Sequence, residues 1–432
     1  MKVMRLLSSL KHDESERGIF HLGRALVKRD HTSIIISSAD TEHDLVKRLQ
    51  RDGNIYHQLS LEKKSWLSLR QILPLRRLIE KYQPDIIHVH SRTPAWILHW
   101  ALRGATLKQK PKLVSTMYGF YQVNNYSRAL LNVDRLITVS DSVRDYLMSH
   151  LKDLKSPPKS IIRIYRGVDT RSFPYRYNPS VYWLRRTFAE YPELEHKKWL
   201  LFPTVIGQEY GQEWLIDIVG NLCEQFPNLH IIIMDEASRS DVIHEEFKQR
   251  IYALELEDRF TFIGSKHNDM REWLAAANVV LGLANQPESI GINVLQAIHL
   301  GTPVVGWNKA AFREILKPLY PQGLVKEYNA RALCKVIRNQ LENVMRPSIT
   351  DLFTMQQMIE ETMDVYNILY QTKQLEAKVH IPFETNRLKP IPDAKRKTPS
   401  QPAKTDALNP PVPKGQSSKQ QHPKQQHTKR PQ

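Results

Sequence analysis

The 432-residue chain is 41% apolar and 25% charged, ordinary proportions for a globular protein, and too long for one typical core. Its formal charge of +17 is uneven, and its two cysteines, Cys223 and Cys334, lack paired spacing. That excludes a disulfide framework or a cysteine-built zinc site and suits a reducing, cytoplasmic compartment. No window approaches the roughly 18 uninterrupted apolar residues of a membrane span, so a soluble or peripheral protein is expected.

In chain order, the start reads as a strand over Val3–Ser9 rather than a leader, because its apolar part is short and Arg5 interrupts it. Further strands are expected at Ser33–Ser38, Ile86–His90, Leu113–Thr116 and Leu136–Ser140, with helices at Arg17–Lys28, Thr41–Gln50 and Leu69–Tyr82. That alternation predicts a parallel, doubly wound sheet. Between Glu62 and Lys81, six basic residues accompany Trp66 and several leucines. The segment suits a sheet-covering helix with a basic face, or a surface for anionic lipid, and Pro74 interrupts its stripe. A strand from Ile161 and a Gly167-Val168-Asp169 turn end this half.

A second alternating half follows. Its strands are expected at Leu200–Pro203, His230–Met234, Phe260–Ile263, Val279–Leu283 and Val304–Trp307, and its helices at Trp214–Gln225, Ser240–Leu254 and Met270–Ala277. Thr354–Tyr370 reads as one more long amphipathic helix. The most informative stretch runs from Gln286 to Gly306. An apolar strand leads into a loop carrying Glu288; a helix over Ile292–Leu300 follows, closed by Gly301; then Pro303 opens another strand. The loop presents Glu288 and the free amides from Ile290 to Asn293 at a helix start, an end that attracts anions.

Glu288, Gly291, Gly301 and Pro303, at this spacing, resemble the donor-binding motif of retaining GT-B glycosyltransferases of family 4. Matches at Glu16-Arg17, Pro84 to Trp96, Val139 to Asp145 and Arg166 to Asp169 look like the bacterial branch that acts on lipopolysaccharide core or related surface glycans. The resemblance implies two Rossmann-like domains facing a cleft: residues 1–175 on the acceptor side and 176–345 on the nucleotide-sugar side. A crossover helix over 346–371 and a disordered basic tail over 372–432 complete it. No metal or other cofactor is called for.

By the same resemblance, Glu288 orients the transferred sugar, Gly291 and Ile292 present amides to the donor, and Gln296 meets the ribose. Gln296 replaces the family's second Glu; an amide oxygen still accepts a hydrogen bond there. Other positions depart further. Asp13-Glu14 stands where the family has a glycine pair, Val205 and Tyr210 stand at its Arg and Lys, and Tyr118 stands at its catalytic His. Asp235-Glu236 ends a strand where relatives usually have glycines. His88 and His90 read as packing or polar contacts near the cleft.

Two functions compete. One is a glycosyltransferase using a nucleotide sugar, with rebuilt phosphate contacts and a glycolipid or oligosaccharide acceptor. The other is a catalytically silent relative acting as a binding or partner protein in the same pathway. From Pro382 onward eleven Lys or Arg face three acids, among ten prolines. Such a tail does not fold alone; it reads as a solvated extension or as a contact for an anionic membrane surface. Nucleic acid is the weaker partner, since no aromatic residue is interleaved with those charges.

Overall fold

The computed structural model describes residues 1–9, 14–38, 43–61, 66–124, 126–151, 158–235, 241–264, 269–326 and 328–379. Of the expected tail, residues 380–432 lie outside the described residues, as do Asp13 and Glu236, whereas residues 372–379 are helical; α1 begins at Glu14. The first half runs β1 (Lys2–Leu6), α1 (Glu14–Lys28), β2 (Thr32–Ser37), α2 (His43–Arg51), β3 (Ile55–Gln58), α3 (Ile72–Tyr82) and β4 (Ile86–Val89). It continues with α4 (Arg92–Leu102), β5 (Lys112–Met117), α5 (Arg128–Leu131), β6 (Arg135–Thr138), α6 (Asp141–His150) and β7 (Ile161–Arg163). These strands form one parallel sheet in the order β3-β2-β1-β4-β5-β6-β7.

The second half runs α7 (Val181–Glu190), β8 (Lys198–Phe202), α8 (Glu213–Leu222), β9 (Leu229–Ile233), α9 (Val242–Ala253), β10 (Phe260–Phe262), α10 (Met270–Ala276) and β11 (Val279–Gly282). Then come α11 (Ile292–Leu300), β12 (Val304–Trp307), α12 (Ala310–Leu319), β13 (Leu324–Val325) and α13 (Ala330–Glu342). Its sheet is parallel in the order β10-β9-β8-β11-β12-β13. In both sheets the strand order reverses once, between β1 and β4 and between β8 and β11. Open parallel sheets take ligands beyond the carboxyl ends of the strands at such a reversal.

The chain then returns through α14 (Met355–Val379), whose apolar face joins the first core. Met358, Ile359, Met363, Tyr366 and Leu369 pack with Val3, Leu22, Ile86 and Val114. Lys373 is buried against Asp85 at 2.8 Å. At the crossing, the Val168 amide donates to the Phe353 carbonyl at 2.9 Å, and the Met355 amide donates to Val168 at 2.8 Å. Gly167 makes this approach possible, because a Cβ there would lie 2.1 Å from the Thr354 carbonyl oxygen.

The helix stripe expected over Leu69–Tyr82 is in fact a 3-10 turn over Trp66–Gln71 followed by α3, which buries Leu75 and Ile79 under the sheet. Pro74 does not interrupt it: Pro74 stands in the first turn, where its missing N–H has no intrahelical acceptor to lose. Pro94 stands likewise in the first turn of α4, a helix absent from the sequence expectations. The crossover helix starts later and runs longer than the expected 346–371: residues 346–354 are not helical, and α14 continues to Val379.

Gly167→Ala should destabilise the protein by at least about 3 kcal/mol, since the added methyl meets backbone rather than a movable side chain. Urea unfolding of the variant checks this; an unchanged midpoint would mean that the two crossings separate freely.

Candidate active site

The segments after β1, β4, β5, β8 and β11 converge where both sheets present their carboxyl ends. From the second half comes the loop between β11 and α11. Its Glu288 is half-buried, and Oε1 accepts from the amides of Ser289 at 3.0 Å and Ile290 at 3.3 Å. The carboxylate is thus fixed by its own loop. Gly291 follows with φ +62°, a left-handed conformation, and its position leaves room for Phe312 and Ile315. Ile292 is the first residue of α11, and Gly301 closes that helix in the left-handed region.

Gln296 is 1% exposed, and its Oε1 has no hydrogen-bond partner among the described residues. Val205 and Tyr210 lie in the loop after β8, which is stitched to the Glu288 loop. The Glu209 carbonyl accepts from Asn285 at 2.9 Å and Gln286 at 3.2 Å, and Asn293 reaches the Pro203 carbonyl at 2.7 Å. Tyr210 packs its ring against the core formed by Phe202, Ile206 and Leu215. Asp235 has a structural role: its carboxylate accepts from the Ile206 amide at 2.9 Å, holding the same loop.

From the first half come His90 and Tyr118. The His90 Nδ1 and the Tyr118 hydroxyl are 2.8 Å apart. His88 stacks on His90 with ring centres 4.1 Å apart. Its Nδ1 meets the Tyr366 hydroxyl at 2.6 Å and its Nε2 meets Thr116 at 2.8 Å. A neutral imidazole accepts at one nitrogen and donates at the other, so two hydroxyl partners satisfy it. Burial, with the Arg5 charge adding, lowers the His88 pKa to about 3. Burial, then His88, Arg5 and Arg166, hold His90 well below its ordinary value. Arg5 itself is fully buried, donating to the Ile19 carbonyl at 2.5 Å and to Ser33 at 3.0 Å.

Around His90 and Tyr118 lies a cavity of about 110 Å³, lined also by Leu7, Ser8, Ser9 and Ser91. The His90 Nε2 and the Ser91 hydroxyl, both buried, have no partner among the described residues. Arg166 stands 5.5 Å over the Tyr118 ring and lines the adjoining space beside Gly18 and His90. Ile290 packs on the cluster containing Met117, Tyr118 and Phe120, so the Glu288 loop and the Tyr118 loop meet across the cleft. Among the described residues no group of three His, Cys, Asp or Glu is placed to hold a metal ion, and no helix is long and apolar enough to cross a membrane.

Sequence reasoning missed three contributors. Arg166 falls in the sequence within a run that matches the resembled family, Arg166 to Asp169, with nothing local to mark it as a cation of the cleft. Lys309, after β12, donates to the Asn285 carbonyl at 3.2 Å and to the Tyr328 hydroxyl at 2.8 Å, bracing the Glu288 loop. Glu314 of α12 reaches across to the first half. Its carboxylate accepts from the Asp141 amide at 2.8 Å and the Ser142 amide at 2.7 Å, and the Ser142 hydroxyl also bonds it. With Ser140 accepting from Val143, the first three amides of α6 are satisfied. Such long-range pairs leave no local spacing signal.

Residues 15–172 match Glycosyltransferase Family 4 and residues 185–350 match Glycosyl transferases group 1. The chain is 23% identical over 376 residues to a phosphatidylinositol N-acetylglucosaminyltransferase subunit of Homo sapiens, covering 82% of this chain and 72% of that protein. It is 22% identical to N-acetyl-alpha-D-glucosaminyl L-malate synthase of Bacillus anthracis, covering 68% of this chain and 76% of that one. A glycosyltransferase structure from Rickettsia africae superposes with a TM-score of 0.70 at 20% identity, over 85% of this chain and 98% of that one. Anabaena Alr3699/HepE in complex with UDP-glucose does so with a TM-score of 0.62 at 16% identity, over 88% and 100%. The two facing sheets are those of the GT-B fold.

Two outcomes follow from this geometry. Glu314→Ala uncaps α6 across the cleft and should cost about 1–2 kcal/mol while enlarging the radius of gyration by small-angle scattering; unchanged scattering would show that the contact does not hold the halves together. His88 stays neutral in the fold but takes a proton in the unfolded chain below its ordinary 6.5. Its contribution is therefore complete above 6.5 and is lost as pH falls towards 3, at about 1.4 kcal/mol per unit. Urea midpoints between pH 7.5 and 5.5 should fall less steeply in His88→Gln.

Proposed function

Because the chain belongs to the glycosyltransferases of the family 4 type, we propose that it transfers a sugar from a nucleotide sugar, with retention, to a hydroxyl of a glycolipid or oligosaccharide of a surface glycan such as lipopolysaccharide. The carrying observation is the meeting of the Glu288 loop with Tyr118 and Arg166 at the ends of both sheets. Glu288 has one oxygen tied to backbone amides, which leaves the other to orient a sugar hydroxyl. Tyr118, backed by His90, meets the sugar or phosphate from the opposite wall.

The reaction breaks the bond from the anomeric carbon to the diphosphate and forms one to the acceptor oxygen, whose proton leaves to the departing phosphate. Negative charge grows on that phosphate. The amides at Gly291 and Ile292 and the start of α11 face charge of this sign, and Arg166 supplies a cation from the other half. Val205 and Tyr210 line the donor side without charge. Gln296, with an unclaimed acceptor, suits a ribose hydroxyl. The human and Bacillus anthracis relatives are both named for N-acetylglucosaminyl chemistry, which makes UDP-N-acetylglucosamine the first donor to try. The acceptor is met on the cytoplasmic side, where a basic surface can approach anionic lipid.

A second reading, a partner protein that binds without turnover, draws on Val205 and Tyr210, where the resembled family has cations. One screen separates the two. UDP- and GDP-sugars are titrated by calorimetry, and hydrolysis or transfer of the bound donor is followed. Micromolar binding with turnover, lowered about 10²–10³-fold by Glu288→Ala, supports the transferase. Binding without turnover, or no binding of any sugar nucleotide, overturns the transferase and supports the partner reading.

A further inference from the structure

The crossover from β5 to β6 leaves part of the first sheet without a helix above it. α5 has four residues, whereas α4 in the preceding crossover has eleven. In this gap lies a cavity of about 530 Å³, within the roughly 300–1,000 Å³ range of ligand pockets. Its floor is the face of β5 bearing Leu113 and Ser115; Leu98 and Leu102 of α4 and Ala129 of α5 form the walls. The Ser115 hydroxyl already donates to the Leu130 carbonyl at 2.6 Å, so the floor behaves as apolar.

The mouth is basic. Arg103 and Lys110 line it and are exposed, and Arg76 stands alongside, donating to the Ala101 carbonyl at 3.1 Å. His99 also lines it, uncharged at neutral pH because burial and then Arg103 lower its pKa. Neighbouring carboxylates are engaged. Asp134 accepts from the Leu113 amide and pairs with Lys159 at 2.6 Å, and Glu80 accepts from the Thr106 amide at 2.8 Å. Trp100, 39% exposed, carries the Arg103 guanidinium 4.5 Å above its ring. An indole and cations around an apolar slot form the combination that settles at a bilayer interface.

We infer that this slot takes an acyl chain of an anionic bilayer phospholipid, with the lipid phosphate against Arg103 and Lys110. Lys110 and Pro111 precede β5, so the slot opens at the amino end of the strand, away from the candidate active site. Chain insertion gives purchase on apolar surface, and each rim cation adds attraction to anionic lipid. The lipid here is an anchor, whether or not a lipid is also the acceptor.

The test uses the full chain with vesicles of equal phosphatidylglycerol and phosphatidylcholine carrying brominated acyl chains, and with phosphatidylcholine alone. Tryptophan emission should be quenched on the anionic vesicles, and Trp100→Phe should remove that quenching. Arg103→Gln with Lys110→Gln should lower partitioning about 25-fold, at roughly fivefold per cation. Ala129→Phe fills the slot and should abolish quenching with an unchanged far-ultraviolet spectrum; should it unfold, the rim pair and Trp100→Phe still decide. Flotation without Trp100 quenching would mean adsorption through other basic surfaces and overturns the inference. Indifference to both vesicles overturns it too, leaving the strip to a helix of a partner protein.

Discussion

The cleft wall of the first half rests on one buried imidazole. His88 ties β4 to α14 through Tyr366 and to β5 through Thr116, and it stacks beneath His90, which in turn holds Tyr118. Both ring nitrogens of His88 are occupied by hydroxyls, so the ring is fixed in rotation as well as in place. A buried polar network of this kind is stable when every member is satisfied, and rigid for the same reason. Among the described residues, the His90 Nε2 and the Ser91 hydroxyl lack a partner at its outer end beside the cavity, and the Arg5 Nε lacks one deeper in.

Charge in the cleft is arranged differently from what the loop after β8 alone suggests. Val205 and Tyr210 contribute no cation, and Tyr210 has joined the core. The positive charge comes from the first half instead: Arg166 lies over Tyr118, and Arg5 lies deeper, burial lowering its pKa only to about 10, so that it stays charged at neutral pH. The imidazoles between them stay neutral. On the other side, Lys309 braces the Glu288 loop through a carbonyl, and Glu314 caps a helix of the opposite half. The acids and bases near the cleft therefore hold loops as much as they face a ligand.

Much of the architecture was legible in the chain because buried parallel strands are written as short apolar runs. Val304–Trp307 and Ile292–Leu300 coincide with their expected bounds, and most other elements shift by a residue or two. What escaped has physical reasons. β3 and β13 are short and carry little apolar signal, and prolines in the first turns of α3 and α4 resemble breakers to a local reading. At the site, the Glu288 loop was readable since strand, loop, helix and glycine are contiguous. Arg166 beside Tyr118 and the capping of α6 by Glu314 of α12 were not, because their partners lie far away in the chain.

The Gly167 crossing has a mechanical meaning. The outgoing and returning chains are hydrogen-bonded backbone to backbone where they cross, Val168 against Phe353 and Met355. A body joined in this way turns as on a pin: swinging one half moves atoms near the pin hardly at all and those at the far lip the most. Small adjustments of backbone angle beside that glycine are thereby geared up into the width of the cleft at its far lip.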